Sequence, residues 1–194
     1  CQRKPLEDLI IDMPQRDGMN FVLTEENLEM PFVPSVQKAV FDFNKIDMSE
    51  YEDYRTMLLA NFGDLGVGSV SAIAMEQLIP AKEKGEGVVT IVYSDQIMTI
   101  EAGDTTDVYY GVACDLGTST IGLEIVDVAH SRRLGKAYLG NSQRSFGYDV
   151  EHRAQYVKEH GGDCSELTMV LLYNINKLLG ELCQRTGVDP QHIY

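Results

Sequence analysis

Basic residues are scarce beside acidic ones in this 194-residue sequence: Lys and Arg number 16 against 30 Asp and Glu, a formal net charge of -14. A nucleic-acid backbone is bound by clustered Lys and Arg that displace its counterions, so neither DNA nor RNA is an expected partner. No apolar run approaches the roughly 18–20 residues of a membrane span. Nor does the sequence open with the basic region, apolar core and small-residue cleavage site of a secretory signal. The four cysteines (Cys1, Cys114, Cys164 and Cys183) include no C-x-x-C pair. Their scatter gives no zinc ligand set and a poor disulfide framework, so reduced thiols in a cytoplasmic protein are expected for the last three.

What is present suits a globular chain: 44% of residues are hydrophobic and 24% charged, enough apolar matter for one or two packed domains. Charge is unevenly placed. Residues 1–108 carry 20 acidic and 8 basic side chains, residues 109–194 carry 10 and 8. Two compositionally different parts are therefore expected to meet near residue 108. The acidic surplus reads first as a solvated face, with steering of a basic partner as the sharper alternative.

The fold class read from the pattern is α/β, an α+β domain over 1–108 followed by strands and helices over 109–194. In the first part, Leu9–Ile11 and Val36–Phe43 read as strands around a turn at Asp17-Gly18. Ser49 with Glu52 reads as a capping box for a helix through Tyr54, Met57 and Leu58 that ends at Gly63. Gly63, Gly66 and Gly68 lack the preceding strand and the Lys of a phosphate-binding P-loop, and read as an ordinary loop. Ser69–Ile79 is predicted as a helix stopped by Pro80, and residues 87–93 and 97–100 as a β-hairpin. Residues 103–107 read as a polar linker. In the second part, Tyr109–Cys114, Ile121–Val128 and Lys136–Leu139 are predicted strands, the first of them buried. Residues 147–160 read as a polar helix with Asp149 and Glu151 at the favourable end of its dipole. Asp163 and Glu166 read as a capping box for a helix with Leu167, Val170, Leu171, Ile175, Leu178, Leu179 and Leu182 on one face, closed by Gly187. Ile193-Tyr194 reads as the first step of a fourth strand.

One segment carries chemistry. Asp115-Leu116-Gly117-Thr118-Ser119-Thr120 lies in the turn between the first two of these strands. Small residues there let backbone amides approach an anion, and the hydroxyls of Thr118, Ser119 and Thr120 add donors. Asp115 cannot bind phosphate, but it can hold a water of a Mg²⁺ ion that bridges phosphates. The competing reading is a plain turn, because Asp, Gly, Ser and Thr are common turn residues.

The order strand, DLGTST, strand, strand, helix resembles the first half of the actin, sugar-kinase and heat-shock ATPase superfamily, whose subdomain is ribonuclease H-like. More closely, GVACDLGTSTIGLEIVD with NSQRSFGYDVEHR resembles the ATPase domain of reductive activators of corrinoid proteins. That resemblance implies an ATP-dependent iron–sulfur protein that returns the cob(II)amide of a methyl-transferring corrinoid protein to its cob(I) state. It implies ATP with Mg²⁺ at Asp115, Gly117, Thr118, Ser119 and Thr120, a corrinoid protein as partner, and a homodimer in the full-length protein. It also implies that Cys1 is the last ligand of a two-iron, two-sulfur cluster whose other ligands, of the C-x4-C-x2-C kind, lie upstream. On this reading the chain is a middle domain with a truncated ATPase start, inactive alone. The alternatives are a sugar-kinase-like phosphotransferase and a non-catalytic interaction module.

Other residues have ordinary readings. His130, His152, His160 and His192 are not at metal-ligand spacing and read as structural or solvated. Cys114 reads as a buried strand residue. Arg144 and Asp149 are expected near the phosphate region if the third strand returns beside the first. The cluster assignment gives a direct expectation for the full-length protein. Its iron content and reducible chromophore should fall on Cys1→Ser, and iron that is unchanged in that variant would refute the assignment.

Overall fold

The structure, a computed structural model, describes residues 19–27 and 34–194. The predicted strand Leu9–Ile11, the turn at Asp17-Gly18 and Cys1 lie outside the described residues. In chain order the elements are β1 Asn20–Asn27, β2 Gln37–Asp42, α1 Tyr54–Phe62, β3 Ser69–Val70, α2 Ala72–Lys84, β4 Val88–Tyr93 and β5 Gln96–Ala102. They continue with β6 Tyr110–Leu116, β7 Thr120–Asp127, β8 Arg132–Gly140, α3 Val150–Glu159 and α4 Ser165–Thr186. Two sheets result, ordered β2-β4-β5-β3 and β1-β8-β7-β6. The chain divides into two compact units: residues 23–113, 124–135 and 183–194 form one, and residues 114–123 and 136–182, with 19–22, form the other.

In the larger unit, β4 is antiparallel to β2 and to β5, and β3 adds in parallel to the far edge of β5. Val89 and Ile91 point into a core with Met57, Leu58 and Phe62 of α1 and Ala74, Leu78 and Ala81 of α2. Thr90 and Val92, on the opposite face of β4, are also fully buried. A strand buried on both faces reads as a continuous apolar run, which is why this hairpin was legible.

Two helix starts differ from the sequence expectation. Ser49 and Glu52 form no capping box. Asp47 closes a short 3-10 turn over Met48–Glu50, and Asp53 accepts the amide of Thr56 at 2.7 Å to start α1. Ser69-Val70 is a strand, and Ser71 caps α2 by accepting the amide of Ala74 at 2.9 Å. Pro80 does not end that helix, which runs on to Lys84. Leu78 and Ala81 flank Pro80 on the buried face, and that packing offsets the one backbone hydrogen bond the ring removes. Gly66, at φ +86°, closes the short turn Gly63–Leu65, and the amide of Gly68 bonds the carbonyl of Asp95, so the glycine loop serves the fold.

Residues 103–107 are not a free linker either. Thr90 Oγ1 donates to the carbonyl of Gly103 and accepts the amide of Thr105. The reason lies in a half-buried carboxylate near the end of β5. Glu101 accepts from Lys38 Nζ at 2.5 Å, from the hydroxyls of Thr105 and Tyr194, and meets His192 Nδ1 at 2.7 Å. Lys38, only 2% exposed, also donates to the carbonyl of Val108 at 2.7 Å. Ile193 bridges in parallel to Tyr110 of β6, and the amide of Tyr194 bonds the Tyr110 carbonyl at 3.1 Å, in line with the fourth-strand expectation.

Around the second sheet, β7 is central. Ile121, Leu123 and Ile125 are buried. β6 was expected to be buried, yet Ala113 through Leu116 are exposed, because that end of β6 has β7 as its sheet neighbour on one side only among the described residues. Asp149, expected inside the start of this helix, is its N-cap and accepts the amide of His152 at 2.8 Å. On α4 the seven predicted apolar positions are all buried or half-buried, while Met169, Leu172 and Tyr173 face outward. Asp163 bonds Ser165 at its start instead of Glu166, whose carboxylate takes the Tyr156 hydroxyl. Gly187, at φ +72°, ends α4, with the amide of Val188 on the carbonyl of Cys183.

Burial would raise the Glu101 carboxyl, but its bonds to Lys38, Thr105 and Tyr194 outweigh that and hold it below its ordinary 4.5. Its stabilisation is therefore complete above about pH 4.5 and lost as pH falls through the lower folded value. Urea denaturation of Glu101→Gln should show a flatter acid limb than wild type, and an unchanged limb would contradict this. Lys38→Met takes away the lysine partner of the carboxylate and should cost about 3 kcal/mol, most of it recovered when Glu101→Leu is added.

Candidate nucleotide-phosphate site

The segment singled out by its chemistry spans the end of β6 and the start of β7, in the smaller unit. Gly117, Thr118 and Ser119 form the connection. Gly117 is required by crowding: a Cβ built there would lie 2.5 Å from the carbonyl oxygen of Thr120. Its φ is not in the left-handed region, so contact with backbone, not a positive dihedral, restricts the position.

Three successive carbonyls of this turn are held by two residues from the segment after β8, two of them by side chains and one by a backbone amide. Asn141 Nδ2 donates to the carbonyl of Gly117 at 3.0 Å, and the Asn141 amide donates to that of Ser119 at 2.9 Å. Arg153 Nη2 donates to the carbonyl of Thr118 at 2.6 Å. Asn141 and Arg153 are 4% and 7% exposed. In a trans peptide the carbonyl and the following N–H point in opposite directions. The amides of Thr118, Ser119 and Thr120 are thus turned away from Asn141 and Arg153. Ser119, Thr120 and Asp115 are exposed and Thr118 is half-buried.

A cleft of about 350 Å³ adjoins the turn, lined by Ser119, Thr120, Tyr138, Leu139, Gly140, Arg144 and Asn20. Gly122 of β7 lies between Asp115 and Tyr138. A Cβ at Gly122 would fall 2.9 Å from the Tyr138 ring and 3.8 Å from Asp115 Cβ. The missing side chain thereby leaves room for the Tyr138 ring beside Asp115. An exposed carboxylate, three hydroxyls and outward amides fit phosphate oxygens with a hydrated divalent cation.

Arg144 reaches the cleft although β8 pairs with β7, not with β6. Asp149 does not. Its carboxylate caps α3 and bonds His152 Nδ1 at 2.7 Å, and these bonds hold it below the usual carboxylate range. His130 sits on Asp127 at 2.9 Å, His160 on the carbonyl of Tyr156, and His192 on Glu101. Cys114 is exposed, contrary to expectation. Partial burial of its sulfur and the neighbouring Asp115 carboxylate both push the thiol up, which keeps it protonated and a weak ligand. Among the described residues, no group of three or more His, Cys, Asp or Glu is placed to hold a metal ion, and no helix is long and apolar enough to cross a membrane.

Asn141 and Arg153 were missed as holders of the turn, though both stand in the NSQRSFGYDVEHR stretch. An Asn before a 3-10 turn and an Arg three residues inside an amphipathic helix carry no local sign of a distant carbonyl. The Glu101 cluster joins residues as far as 93 positions apart, so nothing in the local sequence announces it.

Comparison with known proteins gives three findings. A family described as the RACo middle region matches residues 110–194, the part in which the sequence places the start of an ATPase subdomain. The corrinoid activation enzyme RamQ of Eubacterium limosum is 23% identical over 199 residues, covering 100% of this chain and 33% of RamQ. The chain thus spans about a third of the length of that curated relative. A solved reductive activator for corrinoid, iron–sulfur protein superposes with a TM-score of 0.70 and 24% identity over 91% of this chain and 29% of its own. That likeness establishes the mixed helix-and-sheet fold. In sequence and in fold, the chain is similar to reductive activators of corrinoid proteins, the resemblance its DLGTST and NSQRSFGYDV segments imply.

Proposed function

We propose that the chain is part of an ATP-dependent activator that reduces the cob(II)amide of a methyl-transferring corrinoid protein to cob(I). In this reading residues 115–120 hold the nucleotide phosphates. The observation that carries it is the pinning of the Gly117, Thr118 and Ser119 carbonyls, which turns the three paired amides away from Asn141 and Arg153. Donors fixed before the phosphates arrive need no reorganisation when charge shifts during hydrolysis. Asp115 would hold the water shell of a Mg²⁺ ion, and that ion would supply charge neutralisation to the phosphates. Ser119 and Thr120 add hydroxyl donors at the cleft, and Arg144 brings a positive charge to its edge. The ferredoxin-type cluster with Cys1 and the corrinoid partner belong to the whole activator, and both are proposed from the relatives' names and the sequence resemblance.

The test uses the intact protein. Asp115→Ala should lower ATP hydrolysis by about a hundredfold or more while nucleotide binding falls much less, since one group organising the metal is lost and the adenosine contacts remain. Gly117→Val should harm both, because its side chain must displace the Thr120 backbone. Steady-state hydrolysis and equilibrium nucleotide binding decide it. Wild-type hydrolysis in Asp115→Ala would reduce DLGTST to a plain turn.

A further inference from the structure

The buried guanidinium of Arg153 has acceptors that, among the described residues, are all neutral. Nη2 bonds the Thr118 carbonyl at 2.6 Å, Nε bonds the Gly147 carbonyl at 2.9 Å, and Nη1 meets Gln143 Oε1 at 3.3 Å. At 7% exposed, this cation is largely withdrawn from water. Withdrawing a charge is costly unless its hydrogen bonds are complete, and a cation without a carboxylate leaves its field uncancelled. The nearest consequence falls on the Thr118 carbonyl, whose peptide also carries the outward N–H of Ser119.

The surroundings are shaped for this contact. A Cβ on Gly147 would lie 2.7 Å from the Arg153 amide and 2.7 Å from His152 Cβ, so only glycine lets this backbone lie against the first turn of α3. Gln143, which takes Nη1, is itself fixed by donating from Nε2 to the carbonyl of Leu167 at 2.9 Å. Asn141 caps the 3-10 turn that carries Gln143 while bonding Gly117. α3, the segment 141–147 and the DLGTST turn are thus tied at one guanidinium.

We propose that Arg153 is a positioning residue for the phosphate site. Its planar fork locks the Thr118 peptide to the start of α3, and its charge, which meets no carboxylate among the described residues, lies on the carbonyl side of the turn as a fixed attraction for the phosphates. This rests on the nucleotide reading of residues 115–120 and adds to it the residue that fixes the geometry and sign of that site. Lys cannot replace it, because one ammonium cannot span three acceptors held by a planar fork.

Hydrogen–deuterium exchange and nucleotide binding, measured on the intact protein as wild type, Arg153→Gln and Arg153→Lys, test this. Arg153→Gln should speed exchange over residues 115–120 and weaken Mg-ATP binding by about tenfold or more, the scale of one lost charge-assisted hydrogen bond. Arg153→Lys should show the same faster exchange with a smaller loss of affinity, since it keeps the charge but not the fork. If Arg153→Gln does not fold, Arg153→Lys carries the comparison by itself. Unchanged exchange over 115–120 in a folded variant would overturn the proposal, as would wild-type behaviour of Arg153→Lys in both measurements. Faster exchange in a protein whose wild type binds no nucleotide would instead defeat the nucleotide reading and leave the positioning contact standing.

Discussion

A turn of small residues binds an anion only if its peptides are held in one orientation, because a mobile turn must lose its freedom on binding and gives most of the gain back. In this chain that constraint is met from behind. Asn141 and Arg153, both buried, take the carbonyls of Gly117, Thr118 and Ser119. The rest of the smaller unit follows from where those two side chains must sit. β8 delivers Asn141 at its end, the 3-10 turn Ser142–Phe146 reverses the chain, Gly147 permits close approach, and Asp149 starts α3 so that Arg153 points back at the turn. Replacing any of these would move the guanidinium, and the outward amides with it.

The larger unit has its own buried ionic centre, built on a different logic. Glu101 is satisfied by Lys38, Thr105, Tyr194 and His192, groups that come from β2, from the segment after β5 and from the chain's last residues. Buried pairs of this kind add little net stability, but leaving one member unpartnered is expensive. The network therefore works as a registry device: the polar stretch 103–107, which composition marks as a linker, is fastened to the sheet through Thr90 and Thr105. Arg153 has neutral acceptors and keeps its field; Glu101 is paired and loses most of its own.

How much of this was legible in the sequence depended on whether the signal was local. The β4–β5 hairpin, the apolar stripe of α4 and its Gly187 stop are short-range patterns and were read correctly. The capping box at Ser49 and the helix start at Ser69 failed because several Ser and Asp residues compete for each helix start, and the local sequence does not say which one packing selects. Pro80 misled because propensity predicts a break, whereas the buried face through Leu78 and Ala81 carries the helix past it. At the site, the residues that would face a phosphate were visible in DLGTST. The residues that hold it, Asn141 and Arg153, act over 24 and 35 positions and became visible only in three dimensions.

The central claim is that the amides of Thr118, Ser119 and Thr120 are the donors that meet phosphate. Selective ¹⁵N labelling of Thr and Ser in the intact protein, followed through a titration with Mg-ADP and with adenosine, tests it most directly. The account predicts large shifts of those three amides with Mg-ADP and none with adenosine, which has no phosphate to bind. Tight Mg-ADP binding that leaves all three amides unmoved would contradict it.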